Sequence, residues 1–182
     1  MAEAAIRSRA LADLQAALAA LPDAPRDAGR VVLIVRRTTR DARETPHEAR
    51  LSTEEGLCGD DWSRRPPRNP EVQVTLIRRD VAELIAAGQP LALFGDNLVV
   101  DLDLSDANLP AGSRLRLGEA LVEVTPEPHD GCRKFAERFG LDALRFVQTK
   151  ATRDQNLRGI HLRVVETGDV AVGAAIQVVS RP

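Results

Sequence analysis

The chain has 182 residues, 43% hydrophobic and 29% charged, which fits one folded domain with a short appendage and excludes bulk disorder. A net charge of −2 argues against a nucleic-acid binder, which usually presents a strongly basic face. The longest apolar run, residues 16–21, has six positions where a bilayer span needs roughly 18, and residues 1–6 lack the basic and apolar regions of a secretory signal. No membrane association is expected, and a cytoplasmic protein is the default.

Leu11, Leu14, Leu18 and Leu21 fall on one stripe and predict an N-terminal helix, which Pro22 stops. Residues 22–29 read as a turn-rich linker, so residues 1–29 are expected as helix plus linker and 30–182 as the main domain. Residues 31–35 form an apolar run of strand length. Residues 36–62 are polar and read as loop or excursion. Their early arginines, Arg36, Arg37, Arg40 and Arg43, are open to two readings: the lining of an anionic ligand's entrance, or a strand edge protected by charge. Residues 63–70 hold three prolines and three arginines and are expected to be irregular.

From Val72 the pattern turns β-like, with Val72, Val74 and Leu76 alternating with Gln73 and Thr75. Asp80 and Glu83 match a capping box, and Gly88 is expected to end the short helix they open. Leu98, Val100, Leu102 and Leu104 alternate with Asp101 and Asp103, predicting a strand with one wet face. Residues 114–117 and 120–124 flank Gly118-Glu119, a tight-hairpin signal. Ile160, Leu162 and Val164 predict a further strand; Gly168-Asp169 turns the chain back toward 170–172, and 175–179 closes it. Short strands, Gly-rich turns and few helices argue for a mostly β (α+β) domain, a barrel or closed sheet with the N-terminal helix packed outside. With aromatics at 3%, its core must be built from Val, Leu, Ile and Ala.

The reactive inventory is small: Cys58 and Cys132, His47, His129 and His161, one Trp and no Tyr. Only Lys134 and Lys150 are lysine; the other 23 basic residues are arginine. Two cysteines cannot hold a Cys₄ iron–sulfur cluster, the histidines show no i,i+4 pair for zinc, and no phosphate-loop or dinucleotide fingerprint is present. One segment looks arranged for chemistry: Thr125-Pro-Glu-Pro-His-Asp-Gly-Cys-Arg-Lys-Phe-Ala-Glu-Arg-Phe-Gly140. Two prolines end a strand, Asp130 is placed to cap a helix ending at Gly140, and Cys132 falls in its first turn, where unpaired N–H groups favour a thiolate. Arg133 and Lys134 add positive field. A free cysteine is also among the most buried residue types, so space filling is the competing reading of Cys132. His129 is open to both base and cap roles, and Cys58 sits in a turn.

Gly95-Asp-Asn97, then a strand, then Leu109-Pro-Ala-Gly-Ser-Arg-Leu-Arg-Leu-Gly118, then Leu121-Val-Glu-Val-Thr125 and the cysteine helix together resemble the MOSC domain, the module named for the C-terminal domain of molybdenum cofactor sulfurase. Gly56-Leu-Cys-Gly-Asp60 resembles its earlier turn, and Arg158-Gly-Ile-His-Leu-Arg-Val-Val165 its closing strands. The resemblance covers roughly residues 31–179. It implies a closed MOSC-type β-barrel with a few short helices, handling sulfur or the molybdenum cofactor through one cysteine, matched here by Cys132 as catalytic thiol or metal ligand. Arg133, Lys134, Arg158 and His129 are then the expected cofactor-binding side chains, with Asp96 and Asn97 in support. Many members carry Pro before the cysteine, where this chain has Gly131, and a His-Gly-Gly stretch where this chain has Ser63-Arg-Arg-Pro-Pro-Arg68.

Three functions follow from the resemblance. The first is a molybdenum-cofactor-dependent reductase of small N-oxygenated compounds, fed by a separate electron-transfer protein. The second is a persulfide carrier charged by a cysteine desulfurase, with pyridoxal phosphate belonging to that partner. The third is a binding barrel without chemistry.

Overall fold

The structure is a computed structural model that describes residues 8–39 and 42–182; the expectations placed on residues 1–6 and on Arg40 lie outside the described residues. In chain order the elements are α1 (Leu11–Ala19), β1 (Ala28–Ile34), the two-residue strands β2 (Arg36–Arg37) and β3 (Arg43–Glu44), β4 (Glu48–Ser52), β5 (Gly56–Leu57), β6 (Val74–Arg78), α2 (Arg79–Ala86), β7 (Leu98–Asp101), β8 (Arg114–Leu117), β9 (Ala120–Val124), α3 (Arg133–Phe139), α4 (Leu141–Val147), β10 (Ile160–Glu166), β11 (Gly168–Ala171) and β12 (Ala175–Ser180). Short 3-10 turns occupy Asp61–Arg64, Pro70–Val72, Leu91–Phe94 and Lys150–Gln155. Among the described residues no helix is long and apolar enough to cross a membrane.

The main sheet closes into a barrel in the order β1-β12-β8-β9-β10-β6-β7, with β7 pairing back to β1. Neighbours are antiparallel except β6 and β7, which run parallel. A parallel pair cannot be joined by a tight hairpin. The chain instead leaves β6 through α2 and the Leu91–Phe94 turn and returns through Gly95-Asp-Asn97, so the strand ends here are flanked by long excursions. The hairpin β8–β9 turns at Gly118 (φ +57°), where a Cβ would stand 2.7 Å from the Asp169 carbonyl oxygen.

Two apolar cores share the β6–β7 wall. Val, Leu, Ile and Ala fill the barrel interior, among them Leu76, Leu98, Leu117, Leu162 and Ile176. The second core lies outside, where Ile77 and Val99 face α1, α2, α3 and α4. All four phenylalanines of the chain, Phe94, Phe135, Phe139 and Phe146, are buried in this outer core. Phe94 and Phe139 stack at 4.2 Å and Phe135 meets Phe94 edge-on at 5.9 Å. The aliphatic core expected from composition is therefore the barrel's alone. Helix α1 packs on α4 and α2, outside the barrel, through the fully buried Leu14.

Several local expectations are revised. Residues 36–62 contain β2–β5 rather than plain loop; β4 supplies only Leu51 as a large buried apolar side chain, too little to show a period. Strand β11 pairs with β4, not with β10. Strand β7 stops at Asp101, and Leu102 and Leu104 reach the core from irregular backbone. Asp80 lies within the first turn of α2 behind Arg78, and Ala87, in the left-handed region, ends that helix ahead of Gly88. Asp130 does not cap α3: the N-cap residue is Cys132, with no side-chain cap.

Candidate functional site

A cleft of about 280 Å³ opens where the β2–β3 hairpin, the Asp61–Arg64 turn, the Gly95-Asp96 turn, the loop before α3 and the segment before β10 converge. Its lining holds Cys132 together with six basic side chains: Arg37, Arg43, Arg65, Lys134, Arg138 and Arg158. Asp61 and Asp96 are the acidic lining residues, and Trp62 also lines the cleft, with the Arg68 guanidinium 5.8 Å over its ring. Cys132 is free of any disulfide and exposed, at the mouth.

One wall is a clamp. Asp60, 1% exposed, accepts from the Arg37 backbone N–H at 2.7 Å, from Arg37 Nε at 3.0 Å and Nη2 at 2.5 Å, and from the Trp62 backbone N–H at 3.1 Å. Burial opposes the charge on Asp60, but the Arg37 guanidinium and these N–H donors hold its carboxyl below the usual carboxylate range. Arg37 is thereby locked at the cleft edge, and the turn carrying Asp61, Trp62 and Arg65 is tied to the hairpin.

The opposite wall is buried and incompletely satisfied. Asp96 Oδ2 accepts from Arg158 Nη1 at 2.5 Å, while Asp96 Oδ1 has no hydrogen-bond partner and lies 3.5 Å from His129 Nδ1, itself unpartnered. Arg158 Nε is likewise buried without a partner, and its guanidinium carbon sits 5.2 Å above the Phe135 ring. Burial pushes the Asp96 carboxyl up, against the pull of Arg158. Burial, helped by Arg158, His161 and Arg37, holds His129 well below an ordinary imidazole, so it is neutral at pH 7. Gly159 permits this closeness. At φ +106° its Cα hydrogen faces the Leu76 carbonyl oxygen, where a Cβ would stand 2.1 Å away and 3.2 Å from His129 Nδ1.

The model of the MOSC domain matches residues 60–177. The chain belongs to the MOSC domain family. The family ties the fold to the molybdenum cofactor and to sulfur handling. Among solved structures, the YuaD protein from Bacillus subtilis superposes with a TM-score of 0.65 at 17% identity, over 85% of this chain and 97% of that one, a likeness of fold. YiiM from Escherichia coli superposes with a TM-score of 0.57 at 26% identity, over 84% of this chain and 71% of that one. YiiM from Geobacillus stearothermophilus gives 0.55 at 20% identity, over 84% and 76%. No curated protein matches.

Of the residues singled out from sequence, this MOSC domain brings Cys132, Lys134, Arg158, Asp96 and His129 into one cleft. Arg133 is not in the lining. Its side chain is 90% exposed and pairs with Glu137 at 3.0 Å, because the first turn of α3 points it away. Asn97 is also outside the lining: buried, it accepts from the Thr75 N–H at 3.1 Å and reaches the Val35 carbonyl, bracing β6 against β1 beneath the site. Arg37 and Arg43 line the cleft and at the same time lie on the short paired strands β2 and β3. Arg65, Arg138 and His161 were not singled out; Arg138 falls one helical turn after Lys134, a spacing that was there to be used. Cys58 is half-buried in the turn after β5, its N–H bonded to the Arg50 carbonyl, away from the cleft.

Gly131 is explained by space. A Cβ there would lie 2.5 Å from Leu144 Cδ1 and 3.2 Å from Val147 Cγ2. The loop carrying Cys132 is pressed against α4, and the Gln148 side-chain amide donates to the Gly131 carbonyl at 3.1 Å. In this chain, contact with α4 holds the residue before the cysteine.

Proposed function

We propose that the cleft binds a phosphate-bearing molybdenum cofactor with Cys132 as the thiolate ligand, and that the loaded protein reduces small N-oxygenated compounds. The observation that carries this reading is one exposed cysteine at the mouth of a cleft lined by six basic side chains. The residues present fit the group. A thiolate is a soft ligand of the kind such a metal takes, guanidinium and ammonium groups match phosphate, and the buried unpartnered Arg158 Nε and Asp96 Oδ1 are polar atoms that a hydrogen-bonding ligand would satisfy. Arg37, Arg43, Lys134 and Arg138 would hold the phosphate, Trp62 would flank the planar ring system, and Cys132 would meet the metal. When bound, the cofactor supplies two-electron chemistry at oxygen.

The chain's own contributions are positional and electrostatic. The Asp60–Arg37 clamp fixes one cation without a folding cost at the moment of binding. Asp96 keeps Arg158 turned into the cleft. Reduction of an N–OH group breaks the N–O bond, consumes two electrons and two protons and releases water. The electrons would come from an electron-transfer group outside these residues, because two cysteines cannot hold a Cys₄ cluster. The test is metal and pterin analysis of gently purified protein beside Cys132→Ser. Stoichiometric molybdenum in the first and its loss in the second are expected; background metal in both overturns the reading.

Exposure of Cys132 with no side-chain cap bond favours a second reading, persulfide carriage. A partner desulfurase, which would own the pyridoxal phosphate, would then transfer one sulfur atom to Cys132. Incubation with such an enzyme and cysteine should add one sulfur mass to the peptide bearing Cys132; addition to Cys58 instead would count against it.

A further inference from the structure

His129 belongs to two cavities. Besides the cleft, it lines a second space of about 440 Å³ with Thr125, Glu127, Arg153, Asn156 and His161. Pro126, Glu127, Pro128 and Arg153 at its edge are exposed, so this space opens to solvent on its own side. Its lining is mixed, with Leu109, Val124 and Ile160 beside the polar groups, and it has room for several water molecules, each of which takes about 30 Å³ in the liquid. We propose that His129 and Asp96, steadied by the ring of His161, form a proton-conducting row that carries protons from this second cavity into the Cys132 cleft. The use made of those protons, in N–O reduction, rests on the function proposed above; the row itself does not.

The geometry sets the direction of each group. His161 Nδ1 is 3.1 Å from the Glu127 carbonyl oxygen, which only accepts, so Nδ1 carries the hydrogen and Nε2 is the open acceptor. The His161 and His129 rings lie 4.3 Å apart. On the far side of His129, Nδ1 faces Asp96 Oδ1 at 3.5 Å, two buried polar atoms that have no hydrogen-bond partner. A carboxylate at that place selects the Nδ1–H tautomer and leaves Nε2 as acceptor. A proton reaching His129 Nε2 forms an N–H bond there as the Nδ1–H bond breaks toward Asp96 Oδ1. One proton enters, one leaves, and no electrons move.

The electrostatics agree. Arg158 and Arg37 both disfavour a positive charge on His129. Burial disfavours the charged forms of His129, His161 and Asp96 alike, so a proton taken up at His129 is passed on rather than held. His161 acts through His129 and positions the row; Asp96 is its cleft end.

The test is ¹⁵N-edited NMR of histidine-labelled protein as purified, beside His161→Phe, which keeps a ring but loses its anchor on the Glu127 carbonyl oxygen. Expected are one neutral Nδ1–H tautomer for His129 and, in His161→Phe, the same tautomer with a severalfold slower exchange of its ring proton with solvent. A His129 that is charged near neutral pH, an Nε2–H tautomer, or unchanged exchange in His161→Phe overturns the row. These readouts need no cofactor, so they stand apart from the molybdenum analysis. In protein shown to hold molybdenum and to reduce an N-hydroxylated probe, His129→Gln should lower turnover about 100-fold at unchanged metal content; unchanged turnover would also overturn the row.

Discussion

The two walls of the cleft each bury an aspartate against an arginine, and they treat it in opposite ways. Asp60 takes three bonds from the Arg37 guanidinium and backbone N–H bonds besides, and its carboxyl is held low in spite of burial. Asp96 takes one bond from Arg158 at 2.5 Å, keeps an oxygen without a hydrogen bond, and is pushed up by burial. A carboxylate with every lone pair engaged is a fixed charge and a fixed strut. One that is half engaged has room for a proton or a ligand. Proximity to Cys132 is common to both walls; unspent hydrogen-bonding capacity separates scaffold from chemistry.

Breaking the weaker-satisfied wall should cost most. Arg158→Leu strands Asp96 among buried atoms and should destabilise by about 3 kcal/mol, the low end for a broken buried pair, because Asp96 can take up a proton instead. Denaturant unfolding at neutral pH measures this. A loss near zero would mean that Asp96 is already uncharged beside Arg158. Asp60→Asn should cost less, about 2 kcal/mol, because Arg37 is 32% exposed and regains water.

Acid sharpens the contrast. A carboxyl lowered on folding adds stability above its unfolded value near 3.9 and loses it as pH falls through its folded value. The deficit of Asp60→Asn should therefore shrink in acid. A raised carboxyl works the other way: the burden of Asp96 is present at neutral pH and relaxes as pH falls through its raised value. His129 behaves differently again, since its folded value is depressed. Below about pH 6.5 the unfolded chain takes up a proton that the folded chain refuses, so stability falls by up to about 1.4 kcal/mol per pH unit per such histidine. His129→Gln should flatten that slope and leave the share of His161, also depressed. Unfolding free energies between about pH 5 and 8 decide it; a slope identical to wild type would place His129 in water.

The barrel was legible where strands alternate or turn tightly, as at Gly118 between β8 and β9, and the cysteine loop was legible from its two prolines and Cys132. Other parts were hidden for physical reasons. Strands β2, β3 and β5 have two residues each, shorter than any period. Helix α4 carries the apolar Leu141, Ala143, Leu144, Phe146 and Val147 directly after Gly140, which reads as the end of a helix rather than a joint between two. At the site, the aspartates at 60 and 96 both sit in Gly-Asp turns, and no local pattern tells the engaged carboxylate from the unengaged one. That difference is set by Arg37 and Arg158, 23 and 62 residues away along the chain.

The smallest expected effect lies on the loop joining the chemical wall to α4. Gly131→Ala puts a methyl group 2.5 Å from Leu144 Cδ1, the end of a side chain that can move, so the cost should be about 1 kcal/mol rather than a failure to fold. Leu144→Val removes part of that obstruction, and the double variant should be more stable than the sum of the single losses predicts, since the two positions touch. Cys132 follows Gly131 directly, so any displacement of the loop is read at the thiol: alkylation of Cys132 should change in Gly131→Ala and return toward wild type in the pair. If stability recovers and alkylation does not, contact with α4 supports the fold but does not place the cysteine. If both recover together, Leu144 and Val147 set the position of the thiol at the cleft mouth.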